Sequence, residues 1–211
     1  MYLQCVFSQT ITTLCDRYKI GLIFDEVQTA FGWLGTWFAS QYFEVVPDLL
    51  TMGKGLGFGF PLAGILLKEQ YDVLDYGEDE YTGGGHPISC AIAQAGIRYI
   101  EEKRILQSIF RKEKALKDCL NVTNQVFKKY IKEIRICGLI ASVEFTNNSF
   151  SLKVYNESLK NGLILRKSMD GYGPSLVLKP PLIVTVEEIS RAAKILNNTI
   201  NHICHNSHES I

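Results

Sequence analysis

The chain has 211 residues, 46% hydrophobic and 21% charged, the composition of an ordinary globular protein with room for one medium domain or two small ones. Lys and Arg number 22, as do Asp and Glu, so the balance nominates neither nucleic acid nor an anionic membrane as a partner. No apolar run reaches the ~18 residues of a membrane span, and the start, Met1 to Phe7, lacks the basic stretch and cleavage site of a signal peptide.

Residues 8–18 carry Ile11, Leu14 and Cys15 at helical spacing and predict a short helix ending near Lys19. Ile20 to Phe24 is a continuous apolar run that stops at Asp25-Glu26, the pattern of a parallel strand buried on both faces. Pro47 to Met52 predicts a second strand, followed at once by Lys54 and then by Gly55, Gly57 and Gly59. Leu62 to Leu67 is a third apolar run. From Pro87 to about Leu120 the pattern is helical, in one or two pieces, with Leu106, Ile109, Phe110, Leu116 and Leu120 on one face.

Past residue 120 the texture changes. Ile134 to Phe145 reads as two short strands around Gly138, and Ser151 to Lys160 as a helix. Leu163-Ile164-Leu165 and Leu176-Val177-Leu178 read as strands around a turn rich in Gly and Pro. Thr185-Val186-Glu187-Glu188 is a capping box that launches a last helix, with Ile189, Ala192, Ala193, Leu196, Ile200 and Ile203 on one face. The expected organisation is a βα portion over 1–105 and a smaller α+β domain over 106–211, with the boundary inside the long helical stretch.

Cys5, Cys15, Cys90, Cys119, Cys137 and Cys204 are scattered and form no CxxC pair, which suits reduced thiols in a cytoplasmic protein. His202, Cys204, His205 and His208 are metal-ligand types at short spacing, but a polar, frayed terminus accounts for them, and no metal is expected. The Asn121-Val122-Thr123 sequon carries little meaning without a secretory signal.

Three places can carry chemistry. Asp25, at a strand's C-terminal end, lies where open α/β sheets bind ligands, and needs a cation, a salt bridge or a helix to cap. Lys54, between Gly53 and Gly55, has space around it for a bulky ligand; a desolvated lysine there suits Schiff-base chemistry, and a solvated loop lysine is the alternative. Thr82-Gly83-Gly84-Gly85-His86-Pro87 places glycines ahead of a helix, where backbone N–H groups can face an anion, though the same segment reads as an ordinary turn. The P-loop and dinucleotide fingerprints are absent.

In chain order these segments resemble one family. Phe24-Asp25-Glu26-Val27-Gln28-Thr29, Phe31-Gly32 with Gly35, Val46 through Leu56, Pro61-Leu62-Ala63-Gly64, Thr82 through Pro87, Gly138-Leu139 and Pro180-Pro181-Leu182 resemble the class III aminotransferase signature. The resemblance runs from about residue 8 to 200.

The resemblance implies a pyridoxal 5'-phosphate enzyme of fold type I, α/β in class: part of the large domain with a mostly parallel sheet, then the small C-terminal α+β domain. Asp25 would pair with the pyridine nitrogen, Val27 would pack on the ring and Gln28 would reach the ring hydroxyl. Lys54 would hold the cofactor as a Schiff base and serve as general base. Thr82 would bind the phosphate of the cofactor held by the neighbouring subunit, so a homodimer is implied. The reaction would move an amino group from an amino acid or amine to a 2-oxo acid. Related decarboxylases and aminomutases share these motifs, and an inactive truncated fragment is a further alternative.

Two departures concern the substrate. Gly32-Trp33-Leu34-Gly35 stands where many members have Gly-Arg-Thr-Gly. Many members also place a carboxylate-clamping arginine before the double proline, where this chain has Leu176-Val177-Leu178-Lys179; Arg166 is the substitute candidate. Members are roughly twice this long, so an N-terminal half that would carry most of the phosphate cup is absent. The chain is expected to pair with such a half through exposed apolar surface.

Overall fold

The computed structural model describes residues 2–75, 77–78, 82–168 and 173–206, and of residues 2–9 and 206 the backbone alone. The chain divides into two compact units, Met1–Gln107 and Ser108–Ile211.

In the first unit, α1 (Tyr2–Tyr18) starts well ahead of residue 8 and stops where Lys19 turns left-handed, with φ 54°. β1 (Ile23–Asp25) pairs in parallel with β2 (Leu49–Met52), and β2 pairs antiparallel with β3 (Gly64–Leu67). The register sets Ile23 opposite Leu49 opposite Leu67, and Asp25 opposite Thr51 opposite Ile65. Side chains paired in this way share a face.

The expectation of a strand buried on both faces fails for β1. Ile23 is 59% exposed, Ile20 as much, and Ile65 58%. On the other face Leu50 is 6% exposed, while its β3 partner Leu66 is 51% exposed.

Asp48 fastens the three strands near their shared end. Its carboxylate accepts from the Leu22 N–H at 2.7 Å and from Lys68 Nζ at 2.8 Å. The backbone amide, then the lysine, holds the Asp48 carboxyl below its ordinary pKa, and Asp48 raises that of Lys68. α2 (Ala39–Tyr42) is one short turn between β1 and β2. α3 (Pro87–Glu102) begins on a proline, whose missing N–H costs nothing at a helix start. Arg104, at φ 49°, separates it from the next helix, α4 (Ile105–Val126), so the long helical stretch is two pieces.

The second unit holds most of α4, the hairpin β4 (Ile131–Cys137) and β5 (Ile140–Phe145), α5 (Asn148–Lys160), β6 (Arg166–Lys167), β7 (Ser175–Leu178) and α6 (Val186–Asn206). The sheet order is β4-β5-β7-β6, with every ladder antiparallel. Gly138, at φ 57°, makes the left-handed hairpin turn. Leu163 to Leu165 does not form the expected strand. The Leu163 N–H still bonds back to Ser158 O at the end of α5, so pairing with β7 begins only at Arg166.

The core lies between the sheet and its helices. Ile109, Leu116 and Leu120 of α4 and Leu196 and Ile200 of α6 are each 3% exposed or less. Each such side chain contributes about 1.5–3 kcal/mol on burial. Phe110, expected on this face, is instead 74% exposed. Neighbours on a helix point about 100° apart, and Ile109 takes the inward direction.

Polar groups tie the same elements. Glu113 is buried, accepts the Gly138 N–H at 3.2 Å and pairs with Lys117 at 2.6 Å, so it fixes the hairpin turn to α4. Lys112 is buried too and donates to Leu182 O at 2.5 Å; burial lowers its pKa. Thr123 Oγ1 donates to Asn197 Oδ1 at 2.7 Å between α4 and α6. The capping box forms as expected, with Thr185 N–H on Glu188 Oε2 and Glu188 N–H on Thr185 Oγ1.

Among the described residues no helix is long and apolar enough to cross a membrane, and no His/Cys/Asp/Glu cluster could hold a metal. Among the described residues, Cys15, Cys90, Cys119, Cys137 and Cys204 are in no disulfide. The side chain of Cys5 and all of Met1 and His208 lie outside the described residues.

Candidate functional site

Parallel pairing of β1 and β2 brings their C-terminal ends to one edge of the sheet. Asp25 is the last residue of β1, opposite Thr51; Lys54 follows Thr51 by three residues, in the 3-10 turn Lys54–Gly57. The sheet therefore delivers a carboxylate and an amine to the same edge, where α/β sheets place ligands.

Asp25 is exposed rather than buried at a strand tip, so its cost in isolation is smaller than its sequence position suggested. Its Oδ1 accepts the Thr51 hydroxyl at 3.2 Å and the Val27 N–H at 3.1 Å. Those two bonds orient the group, and its Oδ2 has no donor among the described residues. The Lys54 amine is exposed and likewise has no hydrogen bond or ion pair among the described residues.

Lys54 has φ 41°, in the left-handed region that a long side chain rarely adopts. Gly53 before it is buried and extended, and a Cβ there would meet Val27 Cγ1 at 3.4 Å. Close passage of the β2 terminus over Val27 gives the two residues a common wall. That wall belongs to a cavity of about 450 Å³ lined by Val27, Met52, Lys54, Pro61, Leu62 and the glycines Gly83–Gly85.

Of the residues nominated from sequence, Val27 and Lys54 thus line one cavity with the glycine triplet. Asp25 stands at the same sheet edge, and Thr82 is exposed and adjoins Gly83. Gln28 is exposed and engaged in an interaction of its own. Arg166 belongs to the second unit, on β6 opposite Val177, where it is exposed and also engaged. The second unit has an apolar cavity of about 350 Å³, whose lining includes Leu116, Leu165, Leu178 and Ile189, and none of the nominated residues. Its one carboxylate, Glu188, is committed to the helix cap.

Glu26 is the residue that sequence reasoning missed. It is 1% exposed, and its carboxylate accepts from Ala39 N–H at 2.6 Å, Ser40 N–H at 2.7 Å and Thr29 Oγ1 at 3.0 Å. It pins the loop that carries Val27 and Gln28. Its role follows from the structure: α2 begins after Phe38, which has no side-chain acceptor for the first amides, and Glu26 supplies one.

Phe31 anchors the neighbouring wall. It is buried, at φ 66°, and stacks edge-on with Trp37, Phe38 and Phe58 at centroid distances of 6.1–6.3 Å. Phe58 closes the turn that starts with Lys54.

Known proteins resemble this chain in sequence and in fold. Residues 3–200 match the family described as Aminotransferase class-III. Acetylornithine aminotransferase of Caldanaerobacter subterraneus is 34% identical over 197 residues, 93% of this chain and 49% of the relative. Acetylornithine/succinyldiaminopimelate aminotransferase of Buchnera aphidicola is 36% identical over 82% of this chain and 44% of its own length. Among solved structures, the ornithine delta-aminotransferase of Plasmodium falciparum superposes with a TM-score of 0.85 at 27% identity, covering 96% of this chain and 52% of that one. The omega transaminase of Pseudomonas jessenii in complex with PMP gives 0.82 at 26%, over 93% and 46%. The chain spans about half the length of the curated relatives it matches. On fold, motif order and profile together, it belongs to the class III aminotransferase family.

Proposed function

We propose that this chain carries the lysine-bearing part of a pyridoxal 5'-phosphate-dependent aminotransferase site, acting on an amino acid or amine and a 2-oxo acid. One observation carries the reading. Parallel β1 and β2 bring Asp25, with an oxygen open to a donor, and Lys54, with an unpaired amine among the described residues, to one edge beside a cavity. The omega transaminase neighbour bound to PMP supports the same cofactor class.

The donor set fits such a cofactor. Asp25 Oδ2 can accept from a protonated ring nitrogen, and the two bonds on Oδ1 keep the carboxylate aimed. Lys54 Nζ is the amine that can condense with an aldehyde. Val27 offers an apolar surface to a ring face, and Gln28 a polar reach to a ring hydroxyl. Thr82 suits a phosphate, that of the cofactor held by a neighbouring subunit. When bound, the cofactor supplies an electron sink for charge that develops at the substrate's α-carbon. With its amine free, Lys54 would take the substrate's α-proton as general base. Arg166 is the candidate clamp for a substrate carboxylate. The assembly is a homodimer, or a pairing with a polypeptide equivalent to the unmatched half of the relatives.

The test is chemical. The full chain, mixed with pyridoxal phosphate and reduced with borohydride, is expected to carry the adduct on Lys54, mapped by peptide mass spectrometry, and Lys54→Ala to lose it. A folded, saturated sample with no adduct at Lys54 sinks the proposal. Passage of nitrogen from an amine to pyruvate or 2-oxoglutarate, in the complete assembly, separates transamination from decarboxylation.

A further inference from the structure

Gly96 lies inside α3, where glycine is less favourable than alanine. Its backbone faces the ring of Phe58 so closely that a Cβ would sit 2.4 Å from Cγ and Cδ2 and 2.5 Å from Cε2. No real Cβ tolerates that distance, so the ring occupies the space that a side chain at 96 would need. Phe58 is itself left-handed, at φ 47°, a costly state for an aromatic residue. Its N–H donates to Gly55 O at 3.2 Å, and its ring meets Phe31 edge-on at 6.3 Å. Phe31 in turn packs on Gly55, where a Cβ would lie 3.4 Å from Phe31 Cβ.

The short turn from Lys54 to Phe58 therefore begins and ends on strained residues and is braced from two sides, by Phe31 at Gly55 and by Gly96 at Phe58. Strain of this kind persists only where the surroundings over-determine it. The brace on α3 also ties together two walls of the cavity, since α3 is the helix that the Gly83–Gly85 loop leads into.

We propose that Gly96 is a positioning residue for Lys54: it is a glycine so that Phe58 can seat against α3, and that seat holds the turn presenting the lysine amine to the cavity. Gly96 touches neither cofactor nor substrate in this account; it acts through Phe58. The inference rests on the proposed role of Lys54 for its cofactor arm only.

The experiment compares the full chain with Gly96→Ala, Phe58→Ala and the double variant. Two readouts are taken at Lys54 by peptide mass spectrometry: capture of sub-saturating pyridoxal phosphate under borohydride, and reductive methylation by formaldehyde relative to Lys68. With Gly96→Ala, cofactor capture is expected to fall roughly two- to tenfold, the range an off-rotamer ring displacement produces. Methylation of Lys54 relative to Lys68 is expected to change as well, because a released turn moves the already exposed amine from its place on the cavity wall. Phe58→Ala should do the same, and in that background Gly96→Ala should add no further loss and should not lower the melting temperature. A purely structural role for Gly96 would give additive losses and no selective change at Lys54, and that result overturns the proposal. So does unchanged Lys54 chemistry in folded Gly96→Ala. If Gly96→Ala does not fold, Phe58→Ala decides alone, and wild-type behaviour at Lys54 overturns the idea. Should the unmodified chain capture no cofactor, the functional reading fails, while the methylation arm still judges the brace.

Discussion

Asp25 and Glu26 are adjacent carboxylates with opposite surroundings. Asp25 is exposed and accepts two bonds on one oxygen; Glu26 is buried and has both oxygens filled by three donors. Glu26→Ala would leave the Ala39 and Ser40 amides without their acceptor in a buried place, so it should cost about 2–4 kcal/mol in urea unfolding. Asp25→Asn should stay within about 0.5 kcal/mol of the parent, because its group is in water, and should instead weaken cofactor capture at Lys54. Equal stability of the two variants would mean that Glu26 is not the anchor of this loop. The motif residues were legible in the sequence because an abrupt end to an apolar run and a glycine-flanked lysine are local features. The role of Glu26 was not, since its partners lie 13 and 14 residues away across a loop of no regular pattern.

At the scale of elements, the Asp48 link joins the entry to β1, the start of β2 and Lys68 beyond β3. Its carboxyl is held below its ordinary pKa first by the Leu22 N–H and then by Lys68. Between the folded value and the ordinary one of ~3.9, the unfolded chain binds more protons than the folded chain, so stability rises with pH in that interval. The contribution is fully present above the ordinary value and is lost as pH falls through the folded one. Asp48→Asn should therefore be less stable than the parent near neutrality, with the gap closing in acid; a gap independent of pH would show that the charge is irrelevant.

The helices test packing in the same way. Ile109→Ala should cost about 2–5 kcal/mol and Phe110→Ala under about 0.5 kcal/mol, measured by denaturant unfolding. Helix periodicity gave α3, α4, α5 and α6 from sequence, but it could not decide between the adjacent Ile109 and Phe110 at the margin of the stripe. The Thr185 cap was readable because its two bonds close within four residues. The Leu163–Leu165 run was misread because its apolar composition fits a strand, while Leu165 is buried without pairing.

At the scale of the whole molecule, the buried-strand expectation fails in a chain that spans about half the length of the curated relatives it matches. The face that carries Ile23, Ile65 and Leu67 is the face that carries Asp25 and Thr51, since all of them belong to two paired rows of one sheet. A single covering layer would therefore bury the apolar rows and close over the candidate carboxylate together. Unaccompanied, the chain should bind a hydrophobic dye such as ANS and self-associate at high concentration, as contiguous exposed apolar surface does. Ile23→Ser with Ile65→Ser should reduce both effects with little loss of stability, because those side chains are more than half exposed already. Addition of a polypeptide equivalent to the relatives' unmatched half should suppress dye binding and, in the same titration, raise cofactor capture at Lys54. If dye binding falls while capture stays flat, the cover and the site are independent, and the pairing proposed for the active assembly loses its physical reason.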